Sequence, residues 1–286
     1  MIAIDLDGTL LSPAGHVTPR ARQAVHKCLQ AGLLVCFATG RNWTESRTVL
    51  EAIDHYDTAV FVGGAMVVDT KRRVTLHRTL MDAPLAAEVC RVCEHSGHAA
   101  LAMQDDLITG IDYLITSDIP VNRETRRWLD LTHAKVRWIP RLGDHAHEHT
   151  IRVGVVGELG QVAQTQRLLE EKFGERLFAQ TLTVEHSGIE VLEVFDPSVN
   201  KWEGIMQVAR RHHIRPEQIV AIGDDLNDLH MIRNSGLGVA MGNAKPEVRQ
   251  AAKLVVGDNG EEGLAKFLED LVEMHAVRPA AEEDAA

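Results

Sequence analysis

The sequence predicts an α/β protein: a parallel sheet flanked by helices, with a smaller α+β domain inserted into the chain. Three observations lead there. Short, continuously apolar runs alternate with amphipathic stretches up to residue 81. The same alternation returns after residue 190. The segment between them mixes shorter apolar runs with polar residues. Strands that are apolar throughout are buried on both faces, as in a parallel sheet covered by helices.

Taken in order, residues 1–6 (MIAIDL) read as a buried strand running into acids, broken by Gly8 and Thr9. Residues 19–31 are helical: Thr18 can cap them, Pro19 suits the first turn, and Ala21, Val25, Cys28 and Leu29 make an apolar stripe. Gly32 stops this helix, and LLVCFAT (33–39) is a second strand, ended by Gly40. Helix returns over 43–54. Residues 59–69 then give a strand, a Gly63-Gly64 turn and another strand, with a hairpin turn near Lys71 and Arg72. In the insert, 84–97 and 160–173 are helical, Asp105-Asp106 reads as a hairpin turn, and strands flank a turn at Ser187-Gly188. The closing part reads as helix 201–213, strand 218–225, helix 226–234, strand 237–242, a short helix from Pro246, strand 253–257 and helix 261–275. The expected domains are therefore 1–81 with 191–277, an insert at 82–190, and a disordered tail at 278–286.

Composition narrows the function. The chain of 286 residues is 45% apolar and 25% charged, an ordinary globular balance. A net charge of -11 and an aromatic content of 4% argue against a nucleic-acid partner. No apolar run is long enough to span a bilayer and no basic leader opens the chain, so a cytoplasmic protein, monomeric or weakly homo-oligomeric, is expected. Cys28 and Cys36 read as core residues. Cys90 and Cys93 form a C-x-x-C pair, read as two reduced thiols on one helix face. His145, His147 and His149 alternate as three imidazoles on a strand face would, or line a solvated loop. Trp128 and Trp138 read as core of the insert.

The chemistry sits at the strand ends, where open parallel sheets bind their ligands. Asp5 and Asp7 straddle the end of the first strand, and Asp224 and Asp228 follow the strand at 218–223. Carboxylates held close repel, and a hard cation relieves them; an all-oxygen set suits magnesium better than zinc. Thr39, Gly40, Lys201 and Asn227 supply a hydroxyl, open backbone, an ammonium and an amide, which suit a phosphoryl group. A carboxylate can attack phosphorus, and a second carboxylate, for which Asp7 is placed, can protonate the leaving alcohol and then activate water.

With these residues in place, the chain resembles the haloacid dehalogenase-like (HAD) superfamily and, within it, the Cof-type IIB phosphatases. D-x-D-G-T-L stands at Asp5 to Leu10, the hydroxyl motif at Ala38-Thr39-Gly40-Arg41, the motif lysine at Lys201, and G-D-x-x-N-D-x-x-M at Gly223 to Met231. The resemblance implies a Rossmann-like core carrying an inserted type IIB cap. It makes Asp5 the nucleophile and Asp7 the acid/base. Mg2+ would be held by Asp5, the Asp7 carbonyl, Asp224 and Asp228. Phosphate would be held by Leu6, Thr39, Gly40, Lys201 and Asn227. The implied activity is a Mg-dependent phosphatase for a small phosphate ester, a sugar phosphate or phosphorylated cofactor, working through an aspartyl-phosphate. A phosphomutase with the same nucleophile and a non-catalytic metal-dependent binding protein are the alternatives. Two positions depart from the family pattern: Gly63-Gly64 stands for Asn-Gly, and Trp202 stands where glycine often follows the lysine.

Overall fold

The computed structural model describes residues 1–184 and 187–277; Glu185, His186 and the tail at 278–286 expected to be disordered lie outside the described residues. The chain runs through β1 (Ile2–Ile4), α1 (Pro19–Gln30), β2 (Val35–Phe37), α2 (Trp43–Ile53), β3 (Thr58–Phe61), β4 (Met66–Asp69) and β5 (Val74–Arg78). It continues with α3 (Ala83–His95), β6 (Leu101–Gln104), α4 (Asp106–Thr109), β7 (Tyr113–Thr116), α5 (Arg123–Thr132) and β8 (Val136–Ile139). Next come β9 (Thr150–Glu158), α6 (Ala163–Phe173), β10 (Phe178–Val184) and β11 (Ile189–Phe195). It closes with α7 (Lys201–Arg211), β12 (Val220–Gly223), α8 (Leu229–Asn234), β13 (Leu237–Ala240), α9 (Pro246–Ala251), β14 (Leu254–Val255) and α10 (Gly263–Val277).

These elements form two compact units. Of the described residues, Met1–Arg41, Ser46–Arg72 and 200–277 make the first; Asn42–Glu45 and Arg73–Val199 make the second. Among the described residues no helix is long and apolar enough to cross a membrane.

The first unit is built on a five-stranded parallel sheet in the order β14-β13-β12-β1-β2. β1 is wholly buried, as a strand covered on both faces must be. It lies beside β12 with Ile4 opposite Ile222, and the Asp5 N–H donates to the Ile222 carbonyl at 3.0 Å. The acids that follow the two strands therefore leave the sheet side by side. Helix α1 starts as its sequence dictates, with the Ala21 N–H donating to the Thr18 hydroxyl at 3.1 Å and Pro19 in the first turn. β3 and β4 pair as an antiparallel hairpin, and Ala38 bridges to Val60.

The second unit carries a six-stranded sheet, β10-β11-β9-β6-β7-β8, antiparallel except for the β7–β8 pair. Its core gathers Leu85, Val89 and Leu169 of the helices with Ala102, Leu114, Val153 and Leu192 of the strands. The alternate strand residues Tyr113, Arg152 and Glu193 point to the opposite face. There the Arg152 guanidinium pairs with Glu193 and donates to the Tyr113 hydroxyl at 2.8 Å. Thr44, from the short stretch Asn42–Glu45, donates to Asp112 Oδ1 at 2.8 Å.

Several expectations are revised here. Asp105 opens the connection between the antiparallel strands β6 and β7, as expected of a hairpin, but that connection holds the short helix α4, which the Asp105 carboxylate caps by accepting from the Leu107 N–H at 3.2 Å. Helix α5 was not foreseen: only Thr125 and Trp128 of its ten residues are buried, too thin a stripe to read. Trp128 is buried, but Trp138 lies on the edge strand β8 and is 47% exposed. His147 is neither a solvated loop residue nor a metal ligand; it is buried between the Thr150 hydroxyl at 2.9 Å and the Leu142 carbonyl at 2.7 Å. The four cysteines are buried and free. Burial pushes the Cys93 thiol up to about 12, which leaves it inert.

Candidate active site

The site grows from the ends of β1 and β12. After Ile4 the chain does not simply break; residues Leu6–Leu10 form a tight turn, closed by the Leu11 N–H donating to the Leu6 carbonyl at 2.9 Å, with Asp7 extended and Gly8 at φ +74°. A Cβ at Gly8 would collide with the Asp224 carboxylate, so the two strand ends approach this closely only because position 8 has no side chain. The Thr9 hydroxyl donates to Asp224 Oδ1 at 3.0 Å. Asn243 Nδ2 donates to the Gly8 carbonyl at 2.8 Å, and Asn243 Oδ1 accepts from the Asn259 N–H at 2.9 Å. Asn259 Nδ2 in turn donates to the Leu11 carbonyl at 2.8 Å.

Helix α7 delivers the cation. Asn200 caps it by accepting from the Glu203 N–H at 3.0 Å, which fixes Lys201 as the first helical residue. Lys201 is 1% exposed, and its ammonium donates to Asp5 Oδ1 and Asp228 Oδ1, both at 2.6 Å. Its setting depends on Gly64 (φ +107°), where a Cβ would strike the Asn200 carbonyl. Trp202, unusual after a motif lysine, is 9% exposed and packs into the core without moving the ammonium from the acids. Asp228 is fully buried; its Oδ2 accepts from the N–H groups of Asp224 and Asp225 at 2.9 and 3.0 Å.

Asp5, Asp224 and Asp228 each offer an oxygen within 4.8 Å of the others, and among the described residues they are the one His, Cys, Asp or Glu group so arranged. Asp7 is not part of it. Its carboxylate is turned onto Arg41, which donates from Nε to Oδ2 at 2.8 Å and from Nη2 to Oδ1. Burial, with Asp228 and Asp224 close by, pushes the Asp5 carboxyl well above the usual range despite the Lys201 ammonium. Burial and Asp228 push Asp224 up to about 7. Burial alone would lower Lys201, but Asp228 and Asp5 outweigh it and raise the ammonium.

The second set of expected residues flanks this group. Thr39 is 1% exposed; its hydroxyl accepts from the Arg41 N–H at 3.1 Å, and its carbonyl accepts from the Gly63 N–H at 3.0 Å. Asn227 Nδ2 lies 3.8 Å from where a Cβ of Gly40 would stand. Asn227 Oδ1 is buried and without a hydrogen-bond partner among the described residues. Leu6 is fully buried at the start of the turn after Asp5. Thr9, Asn243 and Val62 were not singled out for the site, and Arg41, open between a substrate contact and a pairing with an acid, is paired with Asp7. Thr9 stood inside D-x-D-G-T-L and Asn243 beside a recognised strand, but nothing local marks Val62.

The chain is 27% identical over 289 residues to a 5-amino-6-(5-phospho-D-ribitylamino)uracil phosphatase of Bacillus subtilis, covering 95% of this chain and 97% of that one. It is 25% identical over 278 residues to a pyridoxal phosphate phosphatase of Escherichia coli, covering 94% and 97%. The fold superposes on a HAD subclass IIB sugar phosphatase with a TM-score of 0.75 at 19% identity, covering 94% of this chain and 98% of that one. The sequence profile of haloacid dehalogenase-like hydrolases matches residues 2–268. Because that match runs from β1 into α10, through both units, the chain belongs to the haloacid dehalogenase-like hydrolase family.

Proposed function

We propose that the protein is a Mg2+-dependent phosphatase that hydrolyses small-molecule phosphomonoesters through an aspartyl-phosphate on Asp5. One observation carries the reading: a buried lysine bridges Asp5 and Asp228 while Asp224 stands within 4.8 Å, so that three carboxylates share one ammonium. That excess of negative charge fits a hard divalent cation, and the all-oxygen donor set fits Mg2+. Asp5 and Asp224 would hold the ion together with the Asp7 carbonyl. Asp228, whose oxygens also accept from Lys201 and from the N–H groups of Asp224 and Asp225, would reach the ion through water or orient the groups around it. Bound, the cation would neutralise phosphate charge and screen Asp5 from its neighbours.

Lys201 holds Oδ1 of Asp5 and leaves Oδ2 to attack phosphorus. As that P–O bond forms, the ester P–O bond breaks, its electron pair stays on the leaving oxygen, and Asp7 supplies the proton. Water then attacks the phosphorus, Asp7 takes its proton, and the bond pair returns to Asp5 as inorganic phosphate leaves. Thr39, Lys201, Asn227 and the backbone of Leu6 and Gly40 would receive the phosphoryl oxygens. Asn227 would donate to a phosphoryl oxygen from Nδ2, the atom nearest Gly40, while its buried and unpartnered Oδ1, an acceptor, is left for a hydrogen of the substrate.

We assign the second unit, expected at 82–190 but extending through β11 to Val199, as the substrate-selecting cap and the first unit as the catalytic core. The relatives support a phosphorylated cofactor or precursor as the substrate class, since their named substrates are a ribitylaminouracil phosphate and pyridoxal phosphate. The test is phosphate release from p-nitrophenyl phosphate and a panel of metabolite esters, with Mg2+ and with chelator. Release that needs Mg2+ is expected. No release from any ester overturns the phosphatase reading, and full release in chelator overturns the metal.

A further inference from the structure

The Asp7–Arg41 pair is an ion pair of unusual construction for the protein surface. Asp7 and Arg41 side chains are 56% and 33% exposed, and exposed pairs seldom hold one geometry. Here the guanidinium meets the carboxylate side-on, Nε to one oxygen and Nη2 to the other. The backbone beneath it is clasped as well. The Arg41 N–H donates to the Thr39 hydroxyl at 3.1 Å, and the Arg41 carbonyl accepts from the Val62 N–H at 2.9 Å. Val62 sits at φ +53°, a left-handed conformation that a β-branched residue keeps only when its surroundings impose it. The next N–H, of Gly63, holds the Thr39 carbonyl. A strained turn thus grips both ends of Thr39-Gly40-Arg41, and Arg41 in turn grips Asp7.

The need for this follows from the position of Asp7. It lies two residues from Asp5 on a tight turn, beside a cluster suited to a cation. A loose carboxylate there would be drawn onto the ion as one more ligand and be lost as a proton carrier. We propose that Arg41 is a positioning residue for Asp7: its fork holds both carboxylate oxygens clear of the Asp5–Asp224–Asp228 cluster, and one of them leaves the guanidinium to carry the proton exchanged with the leaving oxygen. This rests on the phosphatase reading above. A lysine cannot replace the fork, because an ammonium offers a point charge rather than two coplanar donors.

The experiment compares kcat/KM for an alkyl ester, glycerol phosphate, with that for p-nitrophenyl phosphate. In both, the ester P–O bond breaks with its electron pair moving to oxygen. Nitrophenolate leaves without a proton, whereas the alkoxide needs the one from Asp7. Arg41→Lys and Arg41→Met are expected to lower kcat/KM for the alkyl ester about tenfold or more beyond any loss on the aryl ester. In an Asp7→Asn background, Arg41→Met is expected to add no further selectivity against the alkyl ester. Thermal unfolding of each variant shows that it is folded; if Arg41→Met does not fold, Arg41→Lys decides. Equal losses on the two esters, or a full additive loss in the double variant, overturn the proposal while leaving the phosphatase reading intact. A wild-type protein that turns over neither ester overturns both.

Discussion

In the first unit Asp5, Asp224 and Asp228 share a single ammonium, that of Lys201. In the second, two buried acids each face a guanidinium of their own, and two are held by neutral donors alone. Glu193 has Arg152 and accepts from Gln180 Nε2 at 2.9 Å; Asp105 faces Arg78 at 3.6 Å. Glu94 accepts from the Thr116 hydroxyl and the Leu142 N–H, both at 2.8 Å. Asp112 accepts from Thr44 and from the Lys135 N–H, also at 2.8 Å. An acid that has its own donors keeps them without help and serves to specify packing. Three carboxylates crowded around one ammonium leave a surplus of negative charge, which favours the arrival of a cation.

The widest gap between the two kinds of charge should appear in turnover. Asp5→Asn replaces the attacking oxygen with a poor nucleophile, and phosphate release is expected to fall at least about 10,000-fold. Retained activity in that variant would assign the attack elsewhere. Next is stability. Lys201→Met leaves Asp5 and Asp228 buried without their cation and should cost about 3–5 kcal/mol in urea unfolding, part of it recovered with Mg2+. A loss below about 1 kcal/mol would mean that the acids are relieved by water rather than by the lysine.

A third contrast uses pH. His55 is 2% exposed and packs edge-on against Phe37 at 4.8 Å. Burial pushes it down to about 4, with His26 adding to the effect and Asp57 opposing it. Its folded value lies below the unfolded one near 6.5, so between those values the unfolded chain binds a proton that the folded chain refuses. Stability should therefore fall as pH drops from about 6.5 to 4, by up to about 3 kcal/mol, and His55→Phe should flatten that slope. An unchanged slope would place the acid sensitivity elsewhere. The smallest net effect is expected in the second unit. Glu193→Gln alone strands Arg152, but the paired change Arg152→Met with Glu193→Leu should return stability to within about 1 kcal/mol of wild type. A double variant as damaged as the single one would show that this pair, too, does more than pack.

Much of this was legible in the order of residues, for a physical reason. A strand apolar on both faces must be central in its sheet, so MIAIDL and QIVAIGDD had to deliver their acids to one edge. Asn200 before Lys201 is a cap signal that fixes where the lysine side chain starts. What escaped depends on contacts far apart in the chain. Nothing near Asp7 shows that it turns toward Arg41, 34 residues away, and not toward Asp5. Val62 looks like the last residue of a strand, and only the carbonyls of Thr39 and Arg41 across the loop account for its left-handed backbone. Helix α5 escaped because its charged residues outnumber its two buried ones.

The four residues Asn42–Glu45 group with the second unit although they follow directly on Arg41, and Thr44 is tied there to Asp112. The second unit is thus not a single cassette between two seams. An exchange of residues 73–199 between relatives would carry Asp112 away and leave its partner hydroxyl behind, so recombination at those seams inherits a mismatch a few residues along the chain from the arginine that holds Asp7. Chimeras that carry both stretches from one parent should be the ones that fold and turn over, and diverging lineages face the same constraint when they trade one insert for another.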